Sequence, residues 1–251
     1  MGTKLRLDKL LAHMGFGTRS ELKKLAKSGA IQVNGQTVKD SGLQVDPAAD
    51  RISVDGEPVQ YREFIYLMLH KPPGFVSATE DARDRTVLEL LSDHYRHFAP
   101  FPVGRLDKDT EGLLLLTNDG KLAHNLLSPR KHVPKTYIAR VEGAVGADDV
   151  RAFAAGVTLD DGYVTLPAEL RIEQSAAESA DGLSHIELTI TEGKFHQVKR
   201  MFEAVGKKVK YLKRITMGPL RLDPDLPLGE CRELTGDELE ALLRHGAAAG
   251  D

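Results

Sequence analysis

Three stretches of this sequence carry side chains able to do chemistry. The first is GRLDKDTEGLLLLTNDG, Gly104 to Gly120. Arg105 and Asp107 stand two apart, after a glycine that permits an unusual backbone and before the apolar run Leu113 to Thr117. A carboxylate on a loop anchored by a buried strand is held rigidly enough to act as a nucleophile or to stabilise charge. Taken alone, the pattern equally describes a loop ion pair beside a core strand. Asp109, Glu111 and Asp119 are competing carboxylates, and Asp119 sits in an Asn-Asp-Gly turn whose geometry accounts for it. The second stretch is Lys135-Thr136-Tyr137, where the tyrosine reads as a strand aromatic of the core. The third, EGKFHQVKRMFEAVG from Glu192 to Gly206, reads as a basic amphipathic helix over Phe195 to Val205.

The elements around them alternate in type. Strands are expected at Tyr66 to His70, Leu113 to Thr117, Tyr137 to Glu142 and Leu183 to Thr191. Helices are expected at Val87 to Leu91, Leu122 to Leu127, Asp148 to Gly156 and Thr235 to Arg244, the last opening on Thr235 and Glu238 in capping-box spacing. Lys71-Pro72-Pro73-Gly74 reads as a rigid turn under the site. The first 60 or so residues form a separate module. Leu5, Leu7, Leu10 and Leu11 have helical spacing, Gly15 and Gly17 stop that helix, and Thr18 with Glu21 starts a second over Arg19 to Lys27. Ile31 and Val33 lead into Asn34-Gly35, and Ile52 to Val54 into Asp55-Gly56, both hairpin signals. Val59 to Glu63 is a polar linker, and Gly246 to Asp251 reads as a disordered tail.

Composition sets bounds. The chain has 251 residues, 41% apolar and 28% charged, enough for a real core. No apolar run reaches the length of about 18 residues that a membrane helix needs. Met1 to Lys9 is too charged for a secretory signal. Cys231, the only cysteine, rules out an internal disulfide and a cysteine-based zinc site, and a reducing cytoplasm is expected. The net charge of −3 conceals two basic regions. Met1 to Lys39 holds eight bases against two acids, and Ile190 to Arg221 nine against two. Local basic faces on a near-neutral chain suit an RNA partner, although solvated faces would look the same.

The run RLDKLLAHMGFGTRSELKKLAKSGAIQVNG resembles the S4 RNA-binding domain. The resemblance implies that Arg6, Lys9, Arg19, Lys23, Lys24 and Lys27 face RNA phosphates. The segments GRLDKDTEG, SPRKHVPKTY and EGKFHQVKRMFEAVG resemble the RsuA- and RluA-like pseudouridine synthases. That resemblance implies an α+β fold: a small N-terminal S4 (αL-type) domain at 1–60, then a catalytic domain at 61–245 with a mainly antiparallel central sheet flanked by helices. It assigns the catalytic aspartate to Asp107, the tyrosine that packs on the target uracil to Tyr137, and the basic partner of the aspartate to Lys199, where many relatives have arginine. Val198 and Leu212 would line the apolar pocket, Arg200 would meet RNA, and Arg105 would hold the displaced strand or the target phosphate. Isomerising uridine involves no redox change and no external group, so neither cofactor nor metal is expected.

Within the family, SPRKHVPKTY, EGKFHQVKRMFEAVG and the compact length without a basic tail look closest to the RsuA branch. This implies ribosomal RNA as partner, with uridine 516 of 16S small-subunit rRNA as target and a monomer as the default. Three alternatives remain. One is the same reaction on large-subunit rRNA. Another is a non-catalytic S4-type RNA-binding protein, which leaves the GRLD loop and Tyr137 unexplained. The last is a two-carboxylate glycoside hydrolase, for which no second carboxylate is marked out.

Overall fold

The computed structural model describes residues 4–248, which fall into two compact units. The first comprises residues up to Ile65 together with Ser92–Pro100. Its elements are β1 (Leu5–Arg6), α1 (Leu7–His13), α2 (Arg19–Ser28), β2 (Ile31–Val33), β3 (Gln36–Thr37), β4 (Gln44–Val45), β5 (Ile52–Val54), β6 (Glu57–Pro58) and α3 (Asp93–Arg96). The leucine pattern at the start divides: Leu5 pairs with Val45 in a two-stranded sheet, and only Leu7, Leu10 and Leu11 bury from the helix. Thr18 and Glu21 form the expected capping box, and Gly29 ends α2 in the left-handed region at φ 87°. Both hairpin turns form as read, with Asn34 at φ 53° and Asp55 at φ 51°, each followed by a left-handed glycine. They order a sheet β3-β2-β5-β6 whose Ile31, Val33, Ile52 and Val54 join the helix leucines in one core.

One expectation needs correcting. Residues 92–100, placed by sequence in the catalytic domain, belong to the first unit. The reason is Phe98, which is 3% exposed and packs edge-on against His13 at 5.2 Å.

The second unit holds β7 (Tyr66–Lys71), β8 (Phe101–Pro102), β9 (Glu111–Thr117), α4 (Gly120–Leu127), β10 (Lys135–Glu142), α5 (Ala147–Ala155), β11 (Glu169–Gln174), β12 (Ser184–Ile190), α6 (Gln197–Ala204), β13 (Lys208–Met217), β14 (Leu220–Arg221), β15 (Cys231–Glu233) and α7 (Gly236–Ala248). Val87–Leu90 is a 3-10 turn. The main sheet runs β11-β12-β10-β13-β9-β7-β15, with β14 on β13 and β8 on β9. Every pairing is antiparallel except β13 with β9, which meet in parallel through Lys213–Glu111 and Arg214–Gly112. The sheet is therefore two antiparallel halves joined at one short seam. Met68, Leu113 and Leu115 pack on one side against Leu122 and Leu126 of α4 and Leu242 of α7. Asp119 has a role beyond its turn: its Oδ1 caps α4 by accepting from the Leu122 N–H at 2.9 Å.

Helix α7 opens on the expected Thr235–Glu238 capping box and continues to Ala248. Gly246, Ala247 and Ala248, read as tail, are thus helical, and 249–251 lie outside the described residues. No described helix is long and apolar enough to cross a membrane.

Candidate active site

The loop Gly104–Thr110 is fixed by its backbone. Lys71, at the end of β7, is fully buried, and its ammonium points into the loop. The Nζ donates to the carbonyls of Thr110 at 2.8 Å, Pro72 at 3.0 Å, Asp107 at 3.1 Å and Lys108 at 3.3 Å. Ser77 clasps Leu106, with its hydroxyl donating to the Leu106 carbonyl and accepting from the Leu106 N–H, both at 3.0 Å. The Gly74 N–H donates to the Lys108 carbonyl at 2.7 Å. The Lys-Pro-Pro-Gly turn is thus the floor of the loop, and its lysine is the central fastener.

The loop leads directly to the seam of the sheet. Gly112 has φ 112°, and a Cβ there would lie 2.2 Å from the Arg214 carbonyl oxygen. Only a residue without a side chain lets β9 and β13 approach this closely.

Onto this platform α6 projects Lys199. Its Nζ lies 3.1 Å from Oδ2 of Asp107 and 2.6 Å from Oδ1 of Asp109. His196, just before α6, places Nε2 at 3.7 Å from the other Asp107 oxygen. Burial works against charge on Lys199, but the hydrogen bonds it donates to Asp109 and Asp107 prevail and hold its pKa above the usual lysine value. Burial likewise opposes charge on Asp109, yet Lys199 holds that carboxyl below the usual range.

Asp107 opens into a cleft of about 890 Å³, also lined by Arg105, Tyr137, Val198, Leu212 and Arg214. That lies within the roughly 300–1,000 Å³ typical of ligand sites. Tyr137, Val198 and Leu212 are all buried, so the wall facing the carboxylate is apolar and aromatic. Such a wall can replace the stacking that a base loses when it leaves a helix. Among the described residues, no three His, Cys, Asp or Glu side chains cluster as a metal ion would require.

The sequence profile of the RNA pseudouridylate synthase family matches residues 65–204, and that of the S4 domain residues 5–52. The chain belongs to the RNA pseudouridylate synthase family. It is 53% identical to an uncharacterized RNA pseudouridine synthase, YtzG, of Bacillus subtilis, over 95% of this chain and 98% of that one. It is 40% identical to ribosomal large subunit pseudouridine synthase B of the same organism, over 97% and 99%. Ribosomal small subunit pseudouridine synthase A of Escherichia coli is 37% identical, over 95% and 100%. A pseudouridylate synthase crystal structure superposes with a TM-score of 0.65 at 37% identity, covering 95% of this chain and 99% of that one.

In this pseudouridylate synthase the structure gathers Asp107, Tyr137, Lys199, Val198, Leu212 and Arg105 about one cleft and its loop. Arg105 is exposed and its guanidinium has no partner among the described residues. Arg200 is not brought to the cleft. Asp160 and Asp161 hold it, the latter at 2.7 Å. In the S4 unit, Arg6, Lys9, Arg19, Lys23, Lys24 and Lys27 are all exposed, and Arg6 pairs with Asp8 at 2.7 Å.

Sequence reasoning gave no role to four residues of the candidate site. Lys71 looked like part of a turn, and nothing local shows that its amine is buried. Asp109, named above only as a competing carboxylate, shares Lys199 with Asp107. Glu192 is buried and accepts from the Tyr163 hydroxyl at 2.6 Å, Gln197 Nε2 at 2.7 Å and the Leu166 N–H at 2.9 Å, which fixes the approach to α6. Arg214 is 2% exposed and donates through Nε to the Leu113 carbonyl at 2.8 Å, while its Nη2 has no partner among the described residues. Asp109 and Glu192 lie inside the segments that resemble the family, whereas no sequence signal marked Arg214.

Two lysines give the synthase a pH signature. Burial pushes Lys71 down to about 8, against the charges of Asp109, Asp107 and Glu111. Burial, then the charge of Arg214, also pushes Lys135 down to about 8. The unfolded chain keeps these protons up to about pH 10.4. Between pH 8 and 10 the unfolded state therefore binds more protons, and stability rises with pH. The expected slope is about 1.4 kcal/mol per pH unit for each lysine. Urea unfolding at pH 8, 9 and 10 measures it, and Lys71→Met should lower it by about one lysine's share. An unchanged slope in that variant would contradict the assignment to Lys71.

Proposed function

We propose that this synthase isomerises one uridine of small-subunit rRNA, uridine 516 of 16S rRNA, with Asp107 as the catalytic carboxylate. The observation that carries the reading is the placement of Asp107 on a clamped loop, ion-paired to Lys199 at 3.1 Å, at a cleft walled by Tyr137. In the reaction the bond from N1 to C1′ breaks, the uracil turns within the cleft, and C5 bonds to C1′. C5 then loses its proton and N1 gains one, so atoms and electrons balance with no added reactant. Asp107 stabilises or attacks the electron-poor centre, and its ion pair with Lys199 keeps it aimed. Tyr137 lies against the uracil and helps to remove the C5 proton, while Val198 and Leu212 exclude water around it. Arg105 and the exposed bases of the S4 unit hold RNA phosphates. Arg200 engages RNA only by giving up Asp160 or Asp161.

The small-subunit assignment draws on the segments SPRKHVPKTY and EGKFHQVKRMFEAVG and on the likeness to a small-subunit enzyme. A comparable likeness to a large-subunit enzyme makes that RNA the competing target. Carbodiimide-dependent primer-extension stops, mapped on both unmodified rRNAs after incubation with the protein, decide between them. A new stop at uridine 516 is expected. A stop on large-subunit rRNA alone would overturn the target and keep the chemistry.

A further inference from the structure

Phe195 is 76% exposed, more than any other large hydrophobic side chain among the described residues. It lines the same cleft as Asp107 and Tyr137. A single exposed apolar residue is ordinarily unremarkable on a protein surface. This one is held in place by a well-built loop. On one side, the Lys194 N–H donates to Gln197 Oε1 at 2.8 Å, and Gln197 Nε2 donates to the buried Glu192 at 2.7 Å. On the other, Arg200 Nη1 donates to the Phe195 carbonyl at 3.4 Å. His196 adopts the left-handed region at φ 48°, a conformation that costs a non-glycine residue and tends to occur at functional sites. One ring face of Phe195 stacks on the His196 imidazole, with centroids 3.8 Å apart and planes at 19°. Charge lies close by: Lys194 is exposed with its Nζ over the Tyr163 ring, and Arg105 has no partner among the described residues.

We propose that Phe195 is a stacking platform for an unpaired base that flanks the target uridine. An aromatic ring backed by a second ring, fixed beside a cleft and accompanied by cations, is the arrangement that holds single-stranded nucleic acid. The cleft takes the target uracil, and removing that base from its stack leaves a neighbour with a bare face. Phe195 covers that face. It positions the substrate and does not touch the reacting atoms. This inference rests on the RNA reading given above and adds the contact that selects an unpaired neighbour.

The test uses the full chain with Phe195→Ala and Phe195→Trp, on an rRNA fragment containing the uridine that wild type modifies. Loss of stacking should raise KM by about 5- to 100-fold for Phe195→Ala, with kcat little changed, and Phe195→Trp should restore KM. Abasic nucleotides placed one at a time on either side of the target locate the partner. At one position the abasic RNA should weaken wild type and leave Phe195→Ala unaffected. A KM for Phe195→Ala equal to wild type, or equal penalties from every abasic position in both proteins, would overturn the proposal. If wild type forms pseudouridine in no rRNA, the functional reading fails separately. A titration with 2-aminopurine-bearing single-stranded RNA still decides the stacking: quenching lost in Phe195→Ala supports it, and equal quenching rejects it.

Discussion

Asp107→Asn is expected to lose pseudouridine formation by on the order of 10⁴-fold or more, while RNA binding is not weakened. The asparagine keeps the size of the side chain and removes only the charge that the proposed reaction uses. The fold should survive the change. Lys71 grips this loop through carbonyl oxygens, which the substitution leaves in place. Lys199 retains Asp109 at 2.6 Å, so no buried cation is stranded. Single-turnover kinetics and a filter-binding titration on the same RNA separate the two effects. Asp109→Asn is the informative companion: it removes one of the two partners of Lys199 and leaves the carboxylate at the cleft, so it should retain most activity. Comparable losses from both variants would show that the aspartates act as a pair.

The second large effect concerns Gly112. An alanine there would bring its Cβ to 2.2 Å from the Arg214 carbonyl oxygen and 2.7 Å from the Arg214 nitrogen, at φ 112°. Backbone strain and the parting of β9 from β13 add, and Gly112→Ala should destabilise the chain by about 3 kcal/mol or more. Gly74 is a fitting control. It also has positive φ, at 89°, but has nothing within 4 Å of an added Cβ. Gly74→Ala should cost about 1–2 kcal/mol from conformation alone. Urea unfolding of both variants measures the difference. Equal losses would mean that the seam of the sheet relaxes around a methyl group.

Gly112 also shows where the sequence stops being legible. Local signals were read well: the Thr18–Glu21 and Thr235–Glu238 caps, the Asn34-Gly35 and Asp55-Gly56 turns, and the apolar strand after the GRLD loop all form. Each is decided by a few neighbouring residues. The strand β13 was missed although Val209 and Tyr211 alternate with Lys208 and Lys210, because Leu212 directly follows Tyr211 and a charged residue, Arg214, takes a buried position further along. The requirement for Gly112, the burial of Lys71 and the sharing of Lys199 by Asp107 and Asp109 all depend on residues distant in the chain. Helix α6 was read two residues too early, since the periodicity ran through Phe195 and His196, where the backbone turns left-handed. The segment 92–100 was misplaced because its anchor, Phe98 against His13, is a tertiary contact. Asp107, Tyr137 and Lys199 were located by family resemblance, and composition alone would have left them as an ordinary loop, strand and helix.

The central claim is that this chain moves a uracil from N1 to C5 attachment, and the departing C5 hydrogen reports that event directly. The measurement is tritium release from rRNA transcribed with uridine labelled at C5, using the purified protein without added cofactor. The account predicts release equivalent to one uridine per rRNA for wild type, and none above background for Asp107→Asn at equal RNA occupancy. RNA that is bound by wild type and retains all its tritium would contradict it.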